Sequence, residues 1–459
     1  MIVYRFEFLA SAVLGNTRGC AELRVNGRMG HRGKLFRFQQ NANLYLKSIM
    51  MGSLAQGAYG VIQGLYILSL GFDETILGTI LSARMLAAAV ASVPAGIISD
   101  SRGRRPVLIA GGILTTVGYL GMAVSSSPLT MIIFSCVVGI AQACQMTSGA
   151  PLMAESSSAE DRPKLFGANF SLSMFANMMG SLIGGFLPRQ LGVFGSVTAF
   201  RISLALFSLI TLAGVFPVYK IVEASRHTVN ETISDSSEKE IDGATLDEKK
   251  EPTSKSAWEE ILGLVDVMRN RDVWNLLVYS VLIGFGAGLV VPFFNVFLSG
   301  KLQVDSGVVG LILSFSQGAT AIAGLLAPVL ASRYGKVKTV VWTQLASIPF
   351  LLLIALPPNI YLVSFALFMR SALMNMSNPV ASNFSMEIVA ADKRGKISSL
   401  MRISDNIARA LSAYAAGYIM SRYNYEVPYF ITAALYLLAS IVYWKAFEGR
   451  EDEILSKES

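Results

Sequence analysis

Four ionisable residues stand inside long apolar runs, where charge is costly: Arg84, Arg370, Asp405 and Arg409. An arginine at mid-bilayer depth costs at least ~2.5–3.5 kcal/mol on insertion scales, so each should face a polar interior or water. Asp405 and Arg409 form an i,i+4 pair and Arg402 precedes Asp405 by three, so all three share a helical face. Two readings of Asp405 stand side by side. It is a proton carrier, whose pKa burial would raise and nearby arginines would lower, or it is the ion-pair partner that makes Arg402 or Arg409 tolerable. The set sums to a positive charge, which favours an anionic or zwitterionic small solute. No phosphate-binding glycine loop or HExxH helix appears. The only histidines, His31 and His227, lie outside the apolar runs, and Cys20, Cys136 and Cys144 lack metal spacing. No enzyme activity, metal or cofactor is expected.

A second set is polar but uncharged: Gln56, Tyr59, Gln63, Gln142, Gln145, Asn295, Asn375 and Asn378. Tyr59 and Gln63 are four apart and Gln142 and Gln145 three apart, so each pair shares a face. They could line a solute path. Interhelical hydrogen bonds of ~0.6 kcal/mol each would explain part of the set without any solute.

These residues need helices to hold them. The chain has 459 residues, 53% hydrophobic and 15% charged, against about 25% charged in soluble domains. Twelve apolar runs recur, approximately 47–70, 76–99, 106–125, 129–153, 165–188, 197–219, 273–299, 307–331, 338–356, 359–386, 397–420 and 427–446. Each can cross ~30 Å of hydrocarbon as a helix. The surroundings are therefore a lipid bilayer. The net charge of +7 reads as loop bias, and no nucleic-acid motif accompanies it.

With both ends on one side, one set of short loops holds Arg102, Arg104, Arg105, Arg162, Lys164, Arg333, Lys336, Lys338, Lys393, Arg394 and Lys396. The other holds Arg189, Lys301 and Arg422. The positive-inside rule then puts both termini in the cytoplasm of a cell-membrane protein. The division expected is a basic N-terminal segment 1–46 (with Met29 as an alternative start), a six-helix bundle 47–221, a cytoplasmic linker 222–272, a second bundle 273–447 and a polar tail 448–459. Within the linker, Trp258, Ile261, Leu262, Val265 and Met268 are spaced as an amphipathic helix at the membrane surface.

The halves repeat. One shift of 232 residues places Gly103 on Gly335, Arg104 on Lys336, Glu155 on Glu387, Arg162 on Arg394, Gly185 on Gly417 and Gln63 on Asn295. Shared hydrophobicity does not produce matched Glu and Arg, so the repeat is real. Parallel repeats of six spans describe one class of transporter.

The stretch Gly96-x-x-x-Asp100-Ser101-Arg102-Gly103-Arg104-Arg105 resembles the signature between spans two and three of the major facilitator superfamily, with Ser101 where arginine is usual. Its second copy keeps Arg333, Gly335 and Lys336 but has Ser332 for the acid. "PLMAESSSAEDRPKLFG" and "NPVASNFSMEIVAADKRGKISS" resemble the 4–5 and 10–11 junctions. The resemblance runs from Leu46 to about Phe447. It implies an all-α membrane protein with 12 transmembrane helices in two pseudo-symmetric six-helix bundles, working as a monomeric secondary transporter by alternating access, with protons as the coupling ion. It also implies a cytoplasmic latch of Gly96, Asp100, Arg102, Gly103, Arg104, Arg105, Glu155 and Arg162, with Gly335, Lys336, Glu387 and Arg394 in the second half. There Asp100 would cap helix eleven in the outward-facing state, and Glu155 and Arg162 would complete a charge relay. The plainer reading is that these basic residues only fix topology.

Gly180, Gly184 and Gly185 in span five form a small-residue face. They resemble the family's antiporter signature, with Ser181 where proline is typical. Gly284, Gly286, Gly288 and Pro292 in span seven mark a bend or close packing. Multidrug efflux, facilitated uniport and a non-transporting sensor stay open beside coupled transport.

Overall fold

Every backbone amide inside lipid must find its partner within the chain, and the helix is the local solution. A computed structural model describes residues 38–158, 160–223, 270–356, 359–389 and 394–451. The linker with its amphipathic stretch, both histidines and Cys20 lie outside the described residues. The helices are α1 Gln40–Ser69, α2 Glu74–Arg102, α3 Arg104–Val124, α4 Pro128–Glu155, α5 Arg162–Gln190 and α6 Ser196–Tyr219 in the first half. The second half holds α7, α8 Ser306–Tyr334, α9 Lys336–Ala355, α10 Ile360–Ile388, α11 Arg394–Arg422 and α12 Val427–Phe447. Helix α7 is broken by the turn Val291–Phe293 into Arg271–Val290 and Phe294–Leu302.

The helices outrun the apolar runs because polar turns at either end continue the helical hydrogen bonding beyond the hydrocarbon. Helix α1, for example, starts at Gln40 rather than near residue 47. Among the described residues, ten helices are long and apolar enough to cross a membrane. The other two, α1 and α11, carry Gln56 and Gln63, and Arg402, Asp405 and Arg409. A helix that faces a polar interior tolerates that composition.

Caps fix several starts. Asp73 accepts from the Ile76 amide at 3.1 Å, and Asp305 from Gly307 at 2.8 Å and Val308 at 3.2 Å. Gly103 (φ 99°) and Gly335 (φ 89°) are one-residue joints between α2 and α3 and between α8 and α9. A β-carbon at that positive φ and extended ψ, a combination essentially confined to glycine, costs about 1–3 kcal/mol, so the repeat keeps glycine at both.

Within the first bundle α1 packs on α5 and α6, and α4 packs on α2 and α3. In the second, α7 packs on α11 and α12, and α10 on α8 and α9. The bundles meet through α2 with α11 and α5 with α8. Glycines set the approach. Gly184 lies against Ala58, with 2.5 Å from an added Cβ to its Cα, and Gly180 meets the Leu54 carbonyl. The glycines of α7 do the same: Gly284 meets Asp405, Gly286 meets Tyr436, and Gly288 meets Arg409 and Ser412. The α7 break itself falls at Val291–Phe293, where Pro292 offers no amide to the preceding turn.

One end of the assembly is sealed across the halves. Gly185 lies on Gly310, and Gly78 on Gly417. The Ser421 hydroxyl donates to Asp73 at 3.0 Å, the Tyr425 hydroxyl to Glu74, and Arg189 pairs with Asp305 at 3.6 Å.

Candidate functional site

Beneath the seal lies a cavity of about 310 Å³. Seven residues singled out from sequence line it: Gln56, Tyr59, Gln63, Arg84, Gln142, Gln145 and Asn295. Helix α1 supplies three of them because its polar residues fall on one inward face. Asn295 ties the halves together, donating to the Gly60 and Val61 carbonyls at 3.1 and 3.0 Å. Gln145 donates to Thr115 at 3.0 Å.

Arg84 is the one charged side chain on the cavity wall among the described residues. It donates to Gln63 Oε1 at 3.2 Å and lies 6.0 Å from the Tyr59 ring centroid. Tyr59 stacks on Tyr119 with centroids 4.1 Å apart. The Tyr59 hydroxyl and Gln63 Nε2 are buried and have no partner among the described residues. Tyr119, Asn177 and Gln317 also line the wall. Their single polar groups in ordinary apolar contexts gave no periodic signal in the sequence.

A second cavity of about 190 Å³ opens on the other side of Arg84 and Gln142, toward the 102–104 loop. Met85, Ala88 and Ser92 of α2 and Arg402, Asn406 and Arg409 of α11 line it. Among the described residues, no aspartate or glutamate lines either cavity. Arg409 is held by Asp405 at 2.8 Å, so of the two partners expected for Asp405 the structure pairs it with Arg409.

Arg370, Asn375 and Asn378 do not reach the central wall. Asn375 donates to Thr320 at 3.2 Å and to the Ser371 carbonyl at 2.8 Å, and Asn378 donates to Asn375 at 3.3 Å. Arg370 is buried and donates to the Tyr436 hydroxyl at 2.9 Å.

At the end opposite the seal, several of the residues expected to form a latch pair inside their own half. Arg104 binds Asp100, Ser99 at 3.1 Å and Glu155 at 3.3 Å. Its repeat counterpart Lys336 binds Glu387. Arg162 donates to the Ala154 carbonyl at 3.1 Å rather than to Glu155, and Arg394 to the Val389 carbonyl at 3.3 Å. Arg102 is exposed, and nothing stands within 4 Å of a Cβ added at Gly96.

Sequence reasoning missed two acids here. Glu223 accepts from the Arg105 amide at 2.6 Å, and Glu451 accepts from the Lys336 and Val337 amides at 2.6 and 3.2 Å. Each carboxylate caps the start of α3 or α9, where unpaired amides and the helix dipole favour negative charge. The available signal was an acid a few residues past spans six and twelve. Arg105 also donates to the Tyr219 carbonyl at 2.6 Å, which anchors the end of α6.

The profile of the Major Facilitator Superfamily matches residues 48–297 and 276–458. The chain belongs to that superfamily. Its membership places it among membrane transporters rather than enzymes. This superfamily member is 29% identical to the class B tetracycline resistance protein of Escherichia coli over 245 residues, 50% of this chain and 58% of that protein. It is 27% identical to multidrug resistance protein MdtG of Klebsiella pneumoniae (strain 342) over 207 residues, 43% and 50% of the two chains. The matched stretches thus span about half the length of these relatives. Among solved structures, the nucleoside transporter NupG superposes with a TM-score of 0.69 at 13% identity, covering 89% of this chain and 99% of its own. The xylose transporter XylE from E. coli, in an inward open conformation, superposes with a TM-score of 0.68 at 15% identity, covering 91% and 98%. At that identity the likeness is one of fold.

Proposed function

We propose that this chain is a secondary transporter that moves a small anionic or zwitterionic solute by alternating access. The observation that carries the reading is Arg84, a guanidinium on the wall of the central cavity with no carboxylate beside it among the described residues. Partial burial of a charge without a counter-charge carries a cost, and an acidic group on the solute would relieve it with a charge-assisted hydrogen bond. Tyr59 Oη and Gln63 Nε2, unpartnered on the same wall, supply further contacts.

The loop charges support placing the 102–104 end in the cytoplasm and the seal outside. The second cavity, with Arg402 exposed on it, then serves as the route from Arg84 toward the cytoplasm. In that arrangement the latch at the cytoplasmic end belongs to the opposite, outward-facing state. We assign proton coupling to the Asp405–Arg409 pair, whose arginine lines the second cavity.

A thermal-shift screen of the purified protein tests the reading. Carboxylates should stabilise it, and Arg84→Gln should abolish that shift. Stabilisation by cationic dyes with none by any carboxylate would sink it. The stacked Tyr59–Tyr119 wall favours a second reading, export of a planar aromatic solute, which the same screen would reveal through neutral aromatic compounds.

A further inference from the structure

Arg370 is the most deeply sealed charge in the described structure. It is 3% exposed and has no ion pair among the described residues. Its Nη2 donates to Tyr436, while its Nε has no acceptor. Its guanidinium lies 5.4 Å from the Phe294 ring centroid and 5.9 Å from that of Tyr436. The Tyr429 hydroxyl is also buried without a partner among the described residues, and its ring lies 6.4 Å from Phe294. Two aromatic faces and one phenol compensate a desolvated guanidinium only in part.

Phe294 connects this cluster to the site described above. It lines the central cavity together with Val291 and Pro292, and its ring also covers Arg370. It is the first residue after the α7 break, where Pro292 has already removed a helical hydrogen bond. A shift at that break would move the ring without unwinding either part of α7.

We propose that Arg370, Tyr429 and Tyr436 form a second anion subsite covered by Phe294, and that the transported solute carries two acidic groups, one for Arg84 and one for Arg370. The inference rests on the anionic-solute reading and narrows it to dianions. The solute's first acidic group binds Arg84 in the open cavity. Displacement of Phe294 then admits the second group to Arg370 and the Tyr429 hydroxyl. Both guanidiniums are then neutralised as the cavity closes, and the neutralised site can cross between its two states.

The test is binding to the purified full-length protein of linear dicarboxylates from malonate to adipate, with butyrate as the monoacid. One member of the series should bind roughly ten- to a hundredfold tighter than butyrate, the range of one added charged hydrogen bond. In Arg370→Gln that ratio should fall to near one. Should that variant not fold, Phe294→Ala gives an independent reading: phenylglyoxal should modify Arg370 there but not in the wild type, and the favoured dicarboxylate should protect it. A ratio unchanged in Arg370→Gln, or no protection in Phe294→Ala, overturns the proposal. Equal binding of butyrate and every dicarboxylate by the wild type overturns the second subsite and leaves the Arg84 reading standing. Binding of neither class ends both.

Discussion

Gly185 of α5 lies so close to Gly310 of α8 that a β-carbon added at Gly185 would stand 2.7 Å from the Gly310 Cα. The 232-residue repeat turns this contact into a second one, Gly417 of α11 on Gly78 of α2, where the same distance is 2.9 Å. It likewise relates Arg189–Asp305 to Ser421–Asp73, and Arg104–Glu155 to Lys336–Glu387. The seal is therefore built twice from one design, which suits two halves that rock about a shared cavity.

The glycine seal gives the first prediction. Gly185→Val adds bulk against backbone only when the sealed end is closed, and overpacking of this kind costs about 1–3 kcal/mol. The variant should fold yet favour the arrangement opened at that end. With Cys20, Cys136 and Cys144 replaced by serine, Ser421→Cys should react faster with an impermeant thiol reagent when Gly185→Val is present. An unchanged rate would show that the contact does not hold the seal.

The seal should also respond to acid. Partial burial pulls the Asp73 carboxyl upward, but hydrogen bonds from the Ile76 amide and the Ser421 hydroxyl outweigh it and hold the group below the usual carboxylate range. Of these two bonds only the one from Ser421 crosses the seal, so that part of the depression stabilises the closed arrangement at higher pH and is lost as pH falls through the depressed value. Fluorophores on Val193→Cys and Tyr423→Cys, in the same serine background, should therefore separate as pH drops below about 4. Asp73→Asn should flatten the response.

The one-residue joints make a stability prediction. Gly103→Ala and Gly335→Ala each force an L-residue to positive φ with extended ψ, at about 1–3 kcal/mol. Each would also crowd the capping carboxylate, Glu223 or Glu451. Both variants should unfold at lower temperature in detergent. Gly96→Ala meets open space and should not.

Coupling is tested at Asp405. Asp405→Asn removes the partner of Arg409 while keeping the side chain's shape. Solute exchange across proteoliposomes should persist, whereas uphill uptake driven by a proton gradient should be lost. Retention of gradient-driven uptake would place coupling elsewhere.

The sequence made the helices and the repeat legible because lipid leaves the backbone few choices and because charged matches at a constant shift stand out. Gln56, Tyr59 and Gln63 could be placed on one wall because residues three, four and seven apart share a helical face. Three features were not legible. Arg370 looked like Arg84 in sequence, and only tertiary packing puts it behind Phe294 rather than on the wall. Gly78 and Gly310 lie in spans already rich in small residues, so their pairing across the halves shows only once the bundles are assembled. Glu223 and Glu451 sit just past the last apolar turns, and their capping of α3 and α9 depends on where α6 and α12 end in space.

The central claim is that a solute's negative group binds Arg84 and is carried across by the two halves. The most direct measurement is counterflow of labelled carboxylates into proteoliposomes, comparing the wild type with Arg84→Gln. At least one carboxylate should show saturable exchange that Arg84→Gln reduces by roughly tenfold or more, the loss of one charged hydrogen bond. Exchange of cationic solutes with none of any carboxylate, or carboxylate exchange indifferent to Arg84→Gln, would contradict it.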